Sequence, residues 1–264
     1  MSHGGGPSAE PGNRLRSCVN LFPSVDALMD AVVEGIVAAA AAAITAHGRF
    51  VIALAGGKTP RALHERLAAP AVAARIDWSR VHVCWGDERC VPPADPQSNF
   101  RMACETLLDR VPIPPSHIHR IAGEDNPRVA AVDYEVRLRA LFPEGGARFD
   151  LVLLGMGDNG HTASLFPGLT AVREAVRWVV AEYVPEVGMS RVSLTPVAIN
   201  AAAAVWVVVT GAEKAAMLKS VTEGDLDPDT YPVQSIWPTT GTMKWFVDGD
   251  AGRDSRRDRV LPAT

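Results

Sequence analysis

The chain has 264 residues, of which 47% are hydrophobic and 21% are charged, and its formal net charge is -4. This composition is typical of a globular protein that can bury one large core or two modest ones. The acidic balance argues against nucleic acid as a partner, because binding a phosphate backbone requires a concentrated basic surface.

Membrane and metal binding are also not expected. No uninterrupted apolar stretch is longer than that at residues 36–44, which is too short to cross a bilayer, and the N-terminus lacks the charged-then-apolar order of a signal peptide. We therefore expect a cytoplasmic protein. The four cysteines form no C-x-x-C pair, and no histidine lies at a zinc-site spacing, so we predict no metal site. No cofactor is expected either.

Residues 1–17 are predicted to form a flexible tail, because their beginning is rich in Gly, Ser and Pro. The core domain then begins at residue 18 with a short strand over residues 18–22. Ser24 is a good N-cap for a helix over residues 25–46, and Gly48 ends that helix.

A second strand, residues 50–55, leads into a glycine turn and a helix over residues 61–68, with Thr59 as the predicted N-cap. The unpaired N–H groups of a first helical turn favour an anion, and Lys58 and Thr59 add donors after Gly57. These residues predict a phosphate site, although the glycines could instead serve only the turn. A nucleotide P-loop is excluded, since it requires a glycine five positions before Gly57.

A third strand over residues 81–85 is followed by Asp87, Glu88 and Arg89. Three consecutive charges at the end of a strand are usually a solvated loop. The long Pro-rich loop at residues 91–97 favours the functional alternative, because long loops in compact domains are commonly functional.

The next predicted elements are a helix that Ser98 caps and that runs through residue 108, a short strand over residues 118–121 and a helix from residue 126 to about 142. His117 and His119 alternate as neighbours in a strand do. Because no acidic or cysteine partners accompany them, we interpret both as surface residues.

The stretch around His161 is the predicted active site. A buried strand over residues 149–154 runs into a glycine-rich loop that ends on this histidine. Ligands of open α/β sheets bind beyond the carboxyl ends of the strands, and imidazole moves protons near neutral pH. The G-x-G-x-x-G pattern at residues 155–160 also matches a dinucleotide fingerprint, but Pro167 stops the long helix that such a site needs.

Strands and helices continue to alternate towards the C-terminus. Lys214 falls in the first turn of the last predicted helix, against the helix dipole, and is either an anion ligand or an ordinary surface lysine. Residues 251–264 are predicted to be a flexible tail. The remaining predicted strands cover residues 178–184, 191–194, 204–210 and 243–248. One further helix is predicted to start at Thr195, and the last helix covers residues 211–221. The alternation predicts the α/β class, with a Rossmann-like, mostly parallel sheet, helices on both faces and a single domain over residues 18–250.

Five motifs, in order, resemble the 6-phosphogluconolactonase family within the glucosamine-6-phosphate isomerase/6-phosphogluconolactonase superfamily. They are Gly56–Pro60, Trp85–Arg89 with Ser98 and Asn99, Gly155–Pro167, Arg191–Thr195 with Gly211–Lys214, and Trp237–Pro238 through Trp245–Asp248. The resemblance implies hydrolysis of 6-phosphoglucono-1,5-lactone to 6-phosphogluconate in the oxidative pentose phosphate pathway. It implies that the partner is a small-molecule sugar-phosphate lactone, with no nucleic acid and no membrane. It also implies that the protein is a monomer or a small homo-oligomer.

The resemblance also implies the site residues. The catalytic group is His161, Asn159, Asp87 and Arg89, and the substrate phosphate is bound by Gly57, Lys58, Thr59, Arg191 and Lys214. His161 would be the general base that activates water. The sequence departs from the family pattern at two positions. Lys58 stands where Ser or Thr is usual. Asn159 stands where Asp is usual, which removes a carboxylate that could orient or polarise the imidazole.

Two alternatives share this scaffold. An amino-sugar phosphate isomerase and deaminase would use the aspartate at position 87 to abstract a proton, but such relatives typically have an aromatic residue where Arg89 stands and lack the ending at residues 164–167. A non-catalytic sugar-phosphate sensor would need a DNA-binding segment, and the first 17 residues are too short and too polar for one.

Overall fold

The computed structural model describes residues 15–143 and 145–255 of the chain. Most of each predicted tail, residues 1–14 and 256–264, lies outside the described residues. Packing extends slightly beyond the predicted domain limits, since Leu15 and Ala251 are both buried against the core.

Nine strands and seven α-helices occur within the described ranges. The strands are β1 Val19–Phe22, β2 Phe50–Leu54, β3 Val81–Trp85, β4 Asp87–Arg89, β5 Leu151–Leu154, β6 Val179–Val184, β7 Met189–Leu194, β8 Ala204–Val209 and β9 Thr242–Asp248. The helices are α1 Val25–His47, α2 Lys58–Leu67, α3 Pro70–Ala73, α4 Asn99–Thr106, α5 Pro127–Leu141, α6 Pro196–Asn200 and α7 Ala215–Glu223.

Six strands form one sheet in the order β1-β9-β8-β5-β2-β3, and every pairing in it is parallel. Its strands are apolar and largely buried, as expected for a sheet covered on both faces. The predicted α/β class, with a mostly parallel sheet in a single domain, is confirmed. The chain leaves β2 towards β3 on one side and leaves β5 towards β8 on the other, so a crevice opens between β2 and β5 at their carboxyl ends.

Strands β4, β7 and β6 form a second, antiparallel sheet that the sequence did not predict. The charged segment at residues 87–89 is a strand in it and not a solvated loop, and both Asp87 and Glu88 are buried. In its register Arg89 lies opposite Arg191. The pairing of β4 with β7 therefore brings Arg89 and Arg191, which are distant in the sequence, together at the mouth of the crevice.

Helix α1 corrects the expectation that no segment could span a membrane. By length and composition alone this 23-residue helix is long and apolar enough to cross a membrane. Here it packs onto β1, β2 and β9, and Leu28, Val32 and Ile36 are among its buried residues. It occupies the position of a core helix, which passes the same compositional test.

Three local predictions also differ from the structure. Helix α2 begins at Lys58 after Gly57, whose φ of 104° only glycine adopts readily, so Thr59 is not its N-cap. The predicted strand at residues 118–121 is only an isolated bridge from Ile118 to β3. The last predicted helix begins as a 3-10 turn over Ala212–Lys214.

His117 and His119 are half-buried rather than fully exposed. Both stack on His82, with ring centroids 4.0 and 5.4 Å apart. Burial and the neighbouring imidazoles lower the pKa of His82 to about 4.

Candidate active site

The crevice between β2 and β5 holds a cavity of about 340 Å³, a volume that suits a small ligand. Its walls come from the turn after β2, the strand β4, the start of α4, the loop after β5, and the segments that carry Arg191 and Lys214. Residues from five separate segments of the sequence, including several that were predicted as site residues, therefore meet in one cavity. The described residues contain no cluster of three or more His, Cys, Asp or Glu side chains arranged to hold a metal ion.

The loop after β5 holds the imidazole of His161 against the cavity wall. The Gly157 N–H donates to the His161 carbonyl at 2.8 Å. A Cβ at Gly157 would lie 2.1 Å from the imidazole, so only glycine allows this approach. The imidazole also stacks on the ring of Phe166, with centroids 4.1 Å apart. The histidine is thus fixed in position and largely removed from water.

Asn159 sets the protonation pattern of this imidazole. Its Oδ1 lies 2.6 Å from His161 Nδ1 and accepts the backbone N–H of His161 at 3.1 Å. An amide oxygen only accepts, so Nδ1 carries a proton and donates it. In the neutral ring Nε2 is then the atom with a lone pair. Such a tautomer is the one that a general base requires.

Burial lowers the pKa of His161 below its ordinary value of 6.5. Asp87 and Glu186 oppose this effect by favouring the charged ring, while Lys214 and Arg191 reinforce it. The net direction keeps the imidazole neutral at pH 7, so it can accept a proton.

Asp87 is buried beside the imidazole and is held by several donors. Its carboxylate accepts from the Ser164 hydroxyl at 2.6 Å and from the Asn99 amide at 3.3 Å. It also lies 3.6 Å from Nη1 of Arg191. Asp87 therefore positions the guanidinium of Arg191 at the cavity wall.

Glu88 has a structural role next to this site. Its carboxylate accepts the backbone N–H groups of Asn99 and Phe100 at 2.7 and 2.8 Å and the Ser98 hydroxyl at 3.1 Å. These contacts satisfy the first N–H groups of α4, which have no partner inside the helix. Glu88 thereby fixes the position of Asn99, which contacts Asp87.

Several buried polar atoms at the cavity have no hydrogen-bond partner among the described residues. They are Nε of Arg89, Nε of Arg191 and Oδ1 of Asn99. Unpartnered buried donors and acceptors are costly in a folded protein and mark places where a ligand can supply the missing bonds.

The predicted phosphate ligands divide into two groups. Gly57, Arg191 and Lys214 line the cavity, and Lys214 forms an ion pair there with Asp158. Lys58 and Thr59 do not line it. Lys58 is exposed, and the Thr59 hydroxyl lies 2.7 Å from that of Thr210.

Glu186 was missed by sequence reasoning. It lies on a 3-10 turn over Pro185–Val187, and its Oε2 accepts from Nδ2 of Asn159 at 2.7 Å. Nothing in the local sequence marks it, because the contact joins residues 27 positions apart through the return of β6 into β7.

The fold and the cavity together define an α/β protein with a largely buried imidazole and cationic groups in one crevice. The chain belongs to the family of glucosamine-6-phosphate isomerases and 6-phosphogluconolactonases, whose model matches residues 23–245. The chain is similar to the 6-phosphogluconolactonase of Nostoc sp., with 39% identity over 244 residues that cover 91% of this chain and 99% of the relative. It is also similar to that of Haemophilus influenzae, with 40% identity over 202 residues that cover 76% of this chain and 86% of the relative.

A solved structure agrees with these sequence similarities. The crystal structure of 6-phosphogluconolactonase from Thermotoga maritima superposes with a TM-score of 0.75 at 29% identity, covering 87% of this chain and 98% of that chain. The predicted family membership is confirmed.

Proposed function

We propose that this protein hydrolyses 6-phosphoglucono-1,5-lactone to 6-phosphogluconate, a step of the oxidative pentose phosphate pathway. The observation that carries the proposal is the placement of the His161 imidazole, whose Nδ1 contacts Oδ1 of Asn159, in the same cavity as Arg191 and Lys214. A phosphorylated lactone needs both a general base and an anion site. The similarity to named lactonases supports the same substrate.

We assign the binding of the phosphate to the guanidinium of Arg191, the ammonium of Lys214 and the backbone at Gly57. Helix α2 begins directly after this glycine, so its unpaired N–H groups favour an anion. Substrate phosphate would replace Asp158 as the partner of Lys214. Lys58 and Thr59 contribute less than the sequence implied, because their side chains do not face the cavity.

In the reaction, Nε2 of His161 accepts a proton from water as the oxygen attacks the lactone carbonyl carbon. Asn159 holds the imidazole in the required tautomer. Arg89 stabilises the oxyanion, a contribution that costs roughly 3 to 4 kcal/mol when one donor is lost from other acyl-transfer sites. The bond from the carbonyl carbon to the ring oxygen then breaks, and the imidazolium returns its proton to that oxygen.

The amino-sugar phosphate isomerase alternative is disfavoured by the surroundings of Asp87. A proton-abstracting carboxylate must be able to reach the substrate, whereas this one is occupied by the Ser164 hydroxyl and lies against Arg191.

We also propose a cytoplasmic protein, monomeric or a small homo-oligomer, acting without nucleic acid or membrane. Light scattering of the purified protein tests the oligomeric state, and cell fractionation tests the location.

The test is direct lactone hydrolysis, followed by proton release in a pH-stat and corrected for the spontaneous reaction. His161→Ala should lower kcat by roughly 10²- to 10⁴-fold, the loss expected for a general base. His47→Gln, a change to a histidine outside the cavity, is the matched control and should retain full activity. Wild-type turnover by folded His161→Ala, or release of ammonia from glucosamine 6-phosphate by the wild-type protein, would contradict the proposal.

A further inference from the structure

A continuous chain of hydrogen bonds connects the imidazole of His161 to a carboxylate outside the loop. His161 Nδ1 meets Oδ1 of Asn159 at 2.6 Å, and Nδ2 of the same amide donates to Oε2 of Glu186 at 2.7 Å. Glu186 belongs to the turn between β6 and β7, so it is supplied by the antiparallel sheet. A second part of the fold therefore reaches the catalytic base.

The orientation of the Asn159 amide decides the tautomer of His161. If the NH2 group faced Nδ1, that nitrogen would have to accept, and the ring proton would move to Nε2, where it blocks base catalysis. The Glu186 carboxylate only accepts hydrogen bonds, so it holds the NH2 group on its own side. The backbone N–H of His161 favours the same orientation from the other side.

The same chain of contacts places a second negative charge, besides that of Asp87, near the imidazole. This charge is the carboxylate of Glu186, which accepts a hydrogen bond from the Asn159 amide. A carboxylate that accepts from Nδ2 polarises the amide and makes Oδ1 a stronger acceptor for the imidazolium that forms in the reaction. The other charged groups that act on the ring are Asp87, Arg191 and Lys214.

We propose that Glu186 is a positioning residue for the proposed lactone hydrolysis, which orients and polarises Asn159 and thereby holds His161 as the Nδ1–H tautomer. The inference rests on the proposed function for its kinetic part only. It predicts that Asn159 can hold the imidazole because the Glu186 carboxylate accepts a hydrogen bond from the Asn159 amide.

Kinetics of Glu186→Gln and Glu186→Ala test the proposal. We expect kcat to fall by about threefold to tenfold with little change in KM. Outer partners of metal-bound histidines cost roughly 10- to 100-fold, and the exposure of Glu186 reduces the effect here. The acid limb of the kcat/KM profile should move to lower pH, because a charge that favours the imidazolium is removed. Glu65→Gln, at an exposed position of α2 outside the cavity, is the matched control.

A double-mutant comparison separates positioning from simple structural support. In Asn159→Asp two carboxylates face each other, and their repulsion weakens the arrangement. Adding Glu186→Gln then places an amide donor against Asp at 159 and restores the geometry. Glu186→Gln should therefore lower kcat when residue 159 is Asn and raise it when residue 159 is Asp. A purely structural role for Glu186 would lower kcat in both backgrounds.

The tautomer itself can be measured without any substrate. The ¹⁵N chemical shifts of the His161 ring should show the Nδ1–H form in the wild type and a mixture of both tautomers in Glu186→Ala. An unchanged tautomer and an unchanged kcat in both Glu186 variants would overturn the proposal, as would the same sign of effect in both backgrounds. If the wild-type protein showed no lactonase activity, the proposed function would fail, while the ¹⁵N spectra would still decide the role of Glu186.

Discussion

The pKa of His161 depends mainly on how well Phe166 and the glycine loop keep water from its ring. Desolvation penalises the charged imidazolium, and this is the largest cause of the lowered pKa. In the free protein the imidazole must be neutral to act as a base. The acid limb of the kcat/KM profile should therefore lie below pH 6.5, the ordinary pKa of histidine.

We predict that Phe166→Ala moves this acid limb to higher pH. Loss of the stacked ring exposes the imidazole to water, the charged form is stabilised, and the pKa rises towards 6.5. Phe166→Leu is the control, because it keeps most of the apolar volume and should keep the limb near its original pH. Thermal unfolding checks that both variants are folded. An identical limb in all three proteins would show that burial by Phe166 does not set the pKa.

At the scale of elements, the antiparallel sheet completes the site that the parallel sheet begins. Strand β4 pairs with β7, which places Arg89 opposite Arg191, while Glu88 caps α4. The loop after β5 is tied to the turn before α7 by the ion pair of Asp158 with Lys214. This pair spans the cavity where the phosphate is proposed to bind.

We predict that Asp158→Asn lowers KM for the phosphorylated lactone by about twofold to fivefold, the range expected for an exposed ion pair. Asp158 is 80% exposed and competes with the phosphate for the ammonium of Lys214. The difference should shrink at high salt, and KM for an unphosphorylated lactone should not change.

Asp229→Asn is the matched control for this prediction, because it removes an exposed pair with Arg173 that does not line the cavity. A raised KM in Asp158→Asn would indicate that the carboxylate orients Lys214 for the phosphate rather than competing with it.

For the whole molecule, stability at low pH depends on histidines that are buried in the neutral form. His64 on α2 is fully buried, with Nδ1 3.3 Å from the Thr106 hydroxyl on α4. Its Nε2 has no hydrogen-bond partner within the described part of the chain. Burial, with a smaller contribution from Arg61, lowers its pKa to about 4.

We predict that folding stability decreases as the pH falls from 6.5 towards 4. In this window the unfolded chain binds a proton at His64 and the folded chain does not, so acid favours unfolding. The shift from 6.5 to about 4 corresponds to about 3 kcal/mol. His64→Leu should flatten the dependence of Tm on pH in this window, as measured by calorimetry. An unchanged slope would mean that other groups, such as carboxylates, cause the whole loss.

The sequence by itself determined the order of most elements, the α/β class and the glycine-rich stretch that carries His161. These features depend on local causes: apolar runs form buried strands, Ser24 caps α1, and glycines after β2 and β5 allow the chain to leave the sheet. The five motifs then identified the family. Gly57, Lys214 and His161, which local pattern singled out, and Arg191, which the family resemblance implied, all line one cavity.

Tertiary structure decided what depends on contacts between distant segments. The pairing of β4 with β7 turned a charged segment into a buried strand, which local charge could not predict. The contact of Glu186 with Asn159 arises because β6 turns back into β7 beside the loop after β5. Lys58 does not line the cavity, and α2 starts two residues earlier than a cap at Thr59 would require. Each of these outcomes depends on the direction in which a side chain points, which is fixed by packing and register and not by the residue type.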